Sequence, residues 1–313
     1  MAIDIHAHAW TDAYLDLLQG YGKTDTTTQR GLGAGVSDAE LEARFELMDA
    51  AGISHQVLSV TPQSPHFAER EHAVHAARTA NDEYAEVVRR RPDRFRAFAA
   101  LPFPHTDAVL EELERALDVL GMVGASTTTS VLGRSLADPA FEPVFEELDR
   151  RGSVLYVHPA GTGADSPLIA YHRLTWMIGA PVEDTVAAMH LILAGIPLRY
   201  PRLRIVISHL GGALPMVLNR ADRQYGWEAP DIPEKPSMAA RRMWYDTVAH
   251  GHVPALWAAV ESLGADRLVP GTDFPYQPGE EFLAATEYIR HSGLPEAQVT
   301  AILEENATQL VTL

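Results

Sequence analysis

The first ten residues, MAIDIHAHAW, place His6 and His8 one residue apart in an apolar, strand-compatible run. In a β-strand, residues i and i+2 point to the same face. Asp4, His6 and His8 are therefore expected on one side, and Ile3, Ile5 and Ala7 on the other. Two imidazoles on one face near a strand end can converge on a metal ion. Three further runs end in groups of the same kind: VLYVHP offers His158, IVISHLGG offers His209, and VPGTDFPY offers Asp273. A lone histidine at a strand end is more often a hydrogen-bonded structural residue. Four imidazoles and a carboxylate at four such ends are a donor set. The chain has no cysteine, so disulfides and thiolate sites are excluded and any metal must be held by His, Asp or Glu.

Those side chains need a scaffold that brings distant strand ends together. Apolar runs bounded by Gly or Pro predict eight strands: 3–8, 55–60, 95–100, 124–128, 154–158, 203–208, 243–248 and 267–272. Such runs suit strands buried on both faces. Helical patterns fall between them at 38–50, 71–91, 107–120, 141–151, 182–194, 215–225, 254–263 and 280–291, with a last one at 295–303. Ser37 or Asp38 can cap the first, Pro92 stops the second, and Gly121 and Gly152 close the next two. The run 182–194 is apolar almost all round and is expected to be buried. Eight strand–helix units predict an α/β fold, a (β/α)8 TIM barrel forming a single domain over 1–313 with loop insertions at 20–35, 160–170 and 226–236. An open doubly wound sheet is the alternative, but HAHAW stands where its Gly-rich phosphate turn belongs. In a barrel, active sites sit at the C-terminal strand ends, where His6, His8, His158, His209 and Asp273 fall.

Composition narrows the partners. The 313 residues carry a formal charge of −17, which repels phosphate backbones and anionic lipid, so nucleic acid is not expected as a partner. No apolar stretch reaches membrane-spanning length, and no signal-peptide pattern precedes the first strand. A cytoplasmic setting is expected.

The chain resembles the amidohydrolase superfamily, within it the branch of aminocarboxymuconate-semialdehyde decarboxylase and related aromatic-acid decarboxylases. The resemblance runs through IDIHAHAW, ANDEYAEVVRRRPDRFRAFAALP, VLEELERALDVLG, YVHPAG, SHLGGALP, WYDTVAH, GTDFPY and the closing ENATQLVTL. It implies that His6, His8, His158 and Asp273 hold a metal and that His209 acts on water or substrate, with Asp273 also able to take part in catalysis. The fourth strand ends in GASTTT, which offers no bridging lysine or glutamate, so one divalent ion is expected. Retention of both first-strand histidines favours zinc and leaves manganese open.

The resemblance implies a metal-dependent decarboxylase of a small aromatic or conjugated carboxylic acid. The alternative is hydrolysis of a lactone, amide or ester by the same site. Trp10, His172, Trp176, Phe274 and Tyr276 are candidates for an aromatic substrate pocket. Arg220 lies eleven residues past His209, on the order of 15 Å along a helix, too far to reach its own site easily. In relatives an arginine here resembles one supplied across a homodimer interface, where it would bind substrate. Arg44, in EARFELMD, is expected to be structural.

Overall fold

The computed structural model describes residues 1–313. Eight parallel strands alternate with eight helices. The strands are β1 (Ala2–His8), β2 (Ile53–Ser59), β3 (Phe95–Ala97, continued at Ala99–Ala100), β4 (Ala125–Thr128), β5 (Val154–His158), β6 (Arg204–Ile207), β7 (Trp244–Asp246) and β8 (Leu268–Val269). The helices that follow them are α1 (Asp38–Ala50), α2 (Arg70–Arg90), α3 (Thr106–Glu114), α4 (Glu142–Arg151), α5 (Ala180–Leu193), α6 (Leu214–Glu228), α7 (Val253–Leu263) and α8 (Glu280–Arg290). Each strand pairs with the next in sequence. No continuous ladder joins β8 to β1. The gap is spanned by single bonds from Ile5 N to the Pro270 carbonyl at 2.9 Å and from Asp273 N to the His6 carbonyl at 2.9 Å.

Local chemistry explains where the elements depart from expectation. β3 breaks at Phe98 because its bonds change partner: Phe98 N donates to Leu58 on β2, and Ala99 N donates to Gly124 before β4. β8 stops early because Pro270 has no N–H to continue the ladder. β7 stops at Asp246, whose carboxylate accepts the amide of Val248 and pulls the chain away from the strand. Ser37 caps α1 in a full capping box with Glu40, and Gly152 ends α4 at φ 61°, where a Cβ would be strained. Four short helices lie outside the expected pattern: Asp12–Gly20, capped by Thr11, Pro167–Tyr171, Ile196–Arg199 and Pro236–Ala240. α5 is not buried all round. Only its inner side packs on the sheet, leaving Val186 40% and Leu193 36% exposed and His190 at the surface against Ser135. No helix is long and apolar enough to cross a membrane.

The interior is apolar below and polar above. Ile3, Ile5, Val57, Phe98, Val154, Tyr156, Val206, Trp244 and Val269 form one buried cluster, together with Leu310 and Val311 near the chain end. Strict alternation along β1 would send His6 to the opposite side from Ile5. It does not hold, because the pairing with β2 slips between Asp4 and Ala7. This irregularity re-aims the strand. His6 and His8 face the barrel interior above Ile3 and Ile5, and Asp4 turns instead to Gln56 and Thr272. Gln56 in turn accepts from the fully buried Arg44, whose second donor reaches the His8 carbonyl at 2.9 Å and whose guanidinium lies 4.3 Å from the Phe274 ring centre. Arg44 is thus a structural clamp under β1.

Candidate metal centre and active site

The strand ends bring His6, His8, His158 and Asp273 together. One ligand atom from each lies within 4.8 Å of the others, and all four residues are buried. His6 Nε2 is 3.1 Å from His8 Nε2 and 3.0 Å from Asp273 Oδ1. The opposite edges of the rings are anchored elsewhere. His6 Nδ1 donates to Asp246 Oδ2 at 2.8 Å, His158 Nδ1 donates to the Pro159 carbonyl at 3.0 Å, and His8 Nδ1 meets Ser59 Oγ at 3.2 Å. With Nδ1–H committed to those acceptors, the Nε2 lone pairs of neutral His6 and His158 converge on Asp273. Lone pairs and a carboxylate that face one another in a buried centre favour a cation among them. Outer hydrogen bonds of this kind orient metal-ligating imidazoles, so the donor set fits a divalent metal.

Charge follows the same geometry. Burial opposes a charged His6, but Asp246 and Asp273 outweigh it and hold its pKa up at about 9. Burial pushes His8 down to about 4 and keeps His158 neutral well below the usual imidazole range. Burial would raise Asp273, yet the surrounding histidines hold it well below the ordinary carboxylate range. Asp246 and Asp273 thus favour positive charge at His6, and a divalent metal would supply that charge and leave the ring neutral.

His209 stands beside this cluster, its Nε2 3.8 Å from Asp273 Oδ2. Its Nδ1 donates to Asp184 Oδ2 at 2.9 Å, and Ser208 Oγ donates to the other carboxylate oxygen at 2.9 Å. Its backbone amide donates to Asp246 Oδ1. Burial disfavours a charged ring here, but the Asp184 carboxylate overrides it and holds His209 well above the usual imidazole range. His209, Leu210 and Asp273 have φ of 52°, 56° and 58°, the left-handed region that non-glycine residues rarely adopt. Gly212 has φ 65°, and a Cβ there would meet the Pro181 carbonyl at 2.0 Å. Only glycine lets the β6 loop close under His209.

A cavity of about 1130 Å³ opens from His158, His209 and Asp273 to solvent, lined also by Gln29, Trp176, Tyr276, Val248 and Ala258. The family described as Amidohydrolase matches residues 3–313.

The chain belongs to the amidohydrolase family.

Among the relatives of this amidohydrolase is gamma-resorcylate decarboxylase of Rhizobium sp. (strain MTP-10005), 32% identical over 292 residues and covering 87% of each chain. Another is 6-methylsalicylic acid decarboxylase of Penicillium expansum, 30% identical over 305 residues, 94% of this chain and 91% of that one. The solved dihydroxybenzoic acid decarboxylase of Polaromonas sp. JS666, with bound manganese and the inhibitor 2-nitroresorcinol, matches at TM-score 0.84 and 28% identity over 98% of this chain and 96% of that one. These relatives agree with the decarboxylase branch read from the sequence, and with a divalent metal in the cluster.

The aromatic residues named from the sequence divide. Trp176 and Tyr276 line the amidohydrolase cavity. Trp10, His172 and Phe274 do not. Trp10 is buried, donates to the Val60 carbonyl and stacks on His8 at 5.3 Å. Phe274 is buried between Arg44 and Phe282. His172 lies exposed, edge-on to Tyr171. Arg220 is exposed on α6. Asp222, two residues on, accepts from Ser237. His66 is buried at 7% exposure beside Phe103 and Thr128. Three carboxylates escaped the sequence reading. Asp246 lies in the quoted WYDTVAH, and the strand-end search that found Asp273 could have found it. Glu183 and Asp184 sit near the start of α5, away from any strand end, and carried no signal.

Proposed function

We propose that this amidohydrolase is a metal-dependent decarboxylase of a small aromatic carboxylic acid. The observation that carries the reading is the four-residue cluster opening into one cavity beside a carboxylate-backed histidine. His6, His8, His158 and Asp273 would hold a single divalent ion, which supplies a positive centre for the substrate anion and for charge developing in the ring. Three imidazoles and one carboxylate suit zinc, while the Polaromonas relative carries manganese.

His209 is the proton donor in this reading. Asp184 engages its Nδ1 and leaves Nε2 toward the cavity. A proton delivered from Nε2 to the ring carbon bearing the carboxylate makes that carbon tetrahedral. The C–C bond pair then returns to the ring and CO2 departs. Asp273, held ionised by its histidines, is the weaker candidate. Arg220, exposed on α6, would bind the substrate carboxylate of a second copy in a homodimer. The exposed apolar Leu168, Tyr171, Met177 and Ile178 offer a face for that contact.

Purified protein, analysed for bound metal and then loaded with zinc or manganese, should release CO2 from hydroxybenzoic acids and yield the corresponding phenol. Release of acid from lactones or esters with no CO2 from any aromatic acid would replace this reading with hydrolysis.

A further inference from the structure

The cavity is much larger than a one-ring acid requires. An apolar cavity of roughly 150 Å³ accommodates benzene, whereas this one measures about 1130 Å³. Its lining is also unusual in charge for a protein of anionic substrates. No lysine or arginine lines it, and Asp273 is its single carboxylate. The deep polar groups are already engaged: Tyr276 Oη donates to the Gln29 side-chain carbonyl at 2.8 Å. His250 and His252 stand at the exposed mouth. Between the metal cluster and that mouth the wall is apolar. Val248 is buried, Pro181, Pro215, Ala255 and Ala258 are half-buried, and Trp176 is 47% exposed.

We propose that this cavity selects aromatic monocarboxylic acids bearing an uncharged, extended apolar substituent, the acid end at the metal cluster and the substituent along the wall of Val248, Pro181, Pro215, Ala255, Ala258 and Trp176. The inference rests on the decarboxylase reading for the placement of the acid end. A second carboxylate would enter a region without a cationic partner on this chain, and an unpaired buried charge is costly. An alkyl chain gains by leaving water, at about 0.8 kcal/mol per methylene, or roughly three- to fourfold in affinity.

The test uses the metal-loaded enzyme and a series of 6-alkylsalicylates from hydrogen through methyl and propyl to pentyl, with 3-hydroxyphthalate, whose second carboxylate takes the place of the alkyl group, as the dicarboxylate. Loss of CO2 from each takes up one proton and gives the 3-alkylphenol. The expected result is a kcat/KM that climbs about threefold per methylene over the first few carbons, and a dicarboxylate at least tenfold poorer than salicylate. Ala258→Glu, with Ala255→Gln as a second variant should the first not fold, should flatten the chain-length slope. Binding of the 3-alkylphenols, followed by calorimetry, needs no turnover. A binding slope without CO2 release would support the apolar wall and sink the decarboxylase reading. Turnover of salicylate with no slope in either measurement, or a preferred dicarboxylate, would overturn the inference and leave the decarboxylase standing.

Discussion

Glu183→Gln tests how the cavity wall is held. The side chain is 4% exposed. Its Oε2 accepts the amides of Ala160 at 2.6 Å and Gly161 at 3.1 Å and the hydroxyl of Thr129 at 2.9 Å, and its Oε1 accepts the amides of Gly163 at 2.6 Å and Ala164 at 3.4 Å. One carboxylate thus ties down the whole turn that follows His158. Glutamine keeps one acceptor and replaces the other with a donor, so at least two amides face an N–H whichever way it turns. Each buried donor left unsatisfied costs about 1–3 kcal/mol, which for two amides sets the expected loss at about 2–6 kcal/mol. The consequence reaches the substrate, because Gly161 packs so closely on the Trp176 ring that a Cβ would come within 2.8 Å of it. Urea unfolding should show a lower midpoint with an unchanged slope. KM should rise severalfold while bound metal stays stoichiometric, since His158 belongs to β5 itself. A variant within 0.5 kcal/mol of the parent on the scale of such measurements, with the same KM, would refute the argument that this carboxylate holds the wall.

Other consequences are separable by their readouts. His158→Ala should lose metal and activity together; a variant that is active yet metal-free by elemental analysis would contradict its role as a ligand. Asp184→Asn should retain metal but lose about ten- to a hundredfold in kcat, with nitrogen NMR of labelled histidine reporting a changed His209 ring; unaltered kcat and ring signals would remove Asp184 from the catalytic apparatus. His66 is pushed down to about 3 by burial and by Lys23. A depressed histidine stabilises fully above its unfolded pKa of about 6.5 and loses that contribution as pH falls toward 3, up to about 4–5 kcal/mol. Unfolding measured against pH should therefore show a steeper acid loss in the parent than in His66→Gln, and parallel curves would count against this. Mixing Arg220→Ala with a His158→Ala chain should restore partial activity if the arginine serves a second copy; no restoration speaks for action elsewhere.

The four clustered residues were readable because each stands at the end of an apolar run. His158 closes VLYVH and Asp273 follows the last strand, and a parallel barrel delivers all its strand ends to one rim. The face of His6 was not readable in full. Alternation groups it with Asp4, but the register slip between β1 and β2 sends the two in different directions. Trp10 and Phe274 have the composition of pocket residues, yet packing against His8 and Arg44 consumes them. His66 carries a polar side chain in a loop, and only the closure of that loop over Phe103 shows it to be buried.

Sequence alone pointed to the class of fold and to the five side chains that the structure brings to one rim, His6, His8, His158, His209 and Asp273, because these follow from strand length, strand end and side-chain chemistry. Tertiary structure decided what supports and surrounds them. Asp246 is 240 residues from His6, and Asp184 is 25 from His209. Such partners are selected by distance in space after the barrel assembles, and no local pattern encodes that distance. The cationless wall of the cavity is likewise a property of surfaces contributed by several strand–helix loops, visible only once they face one another.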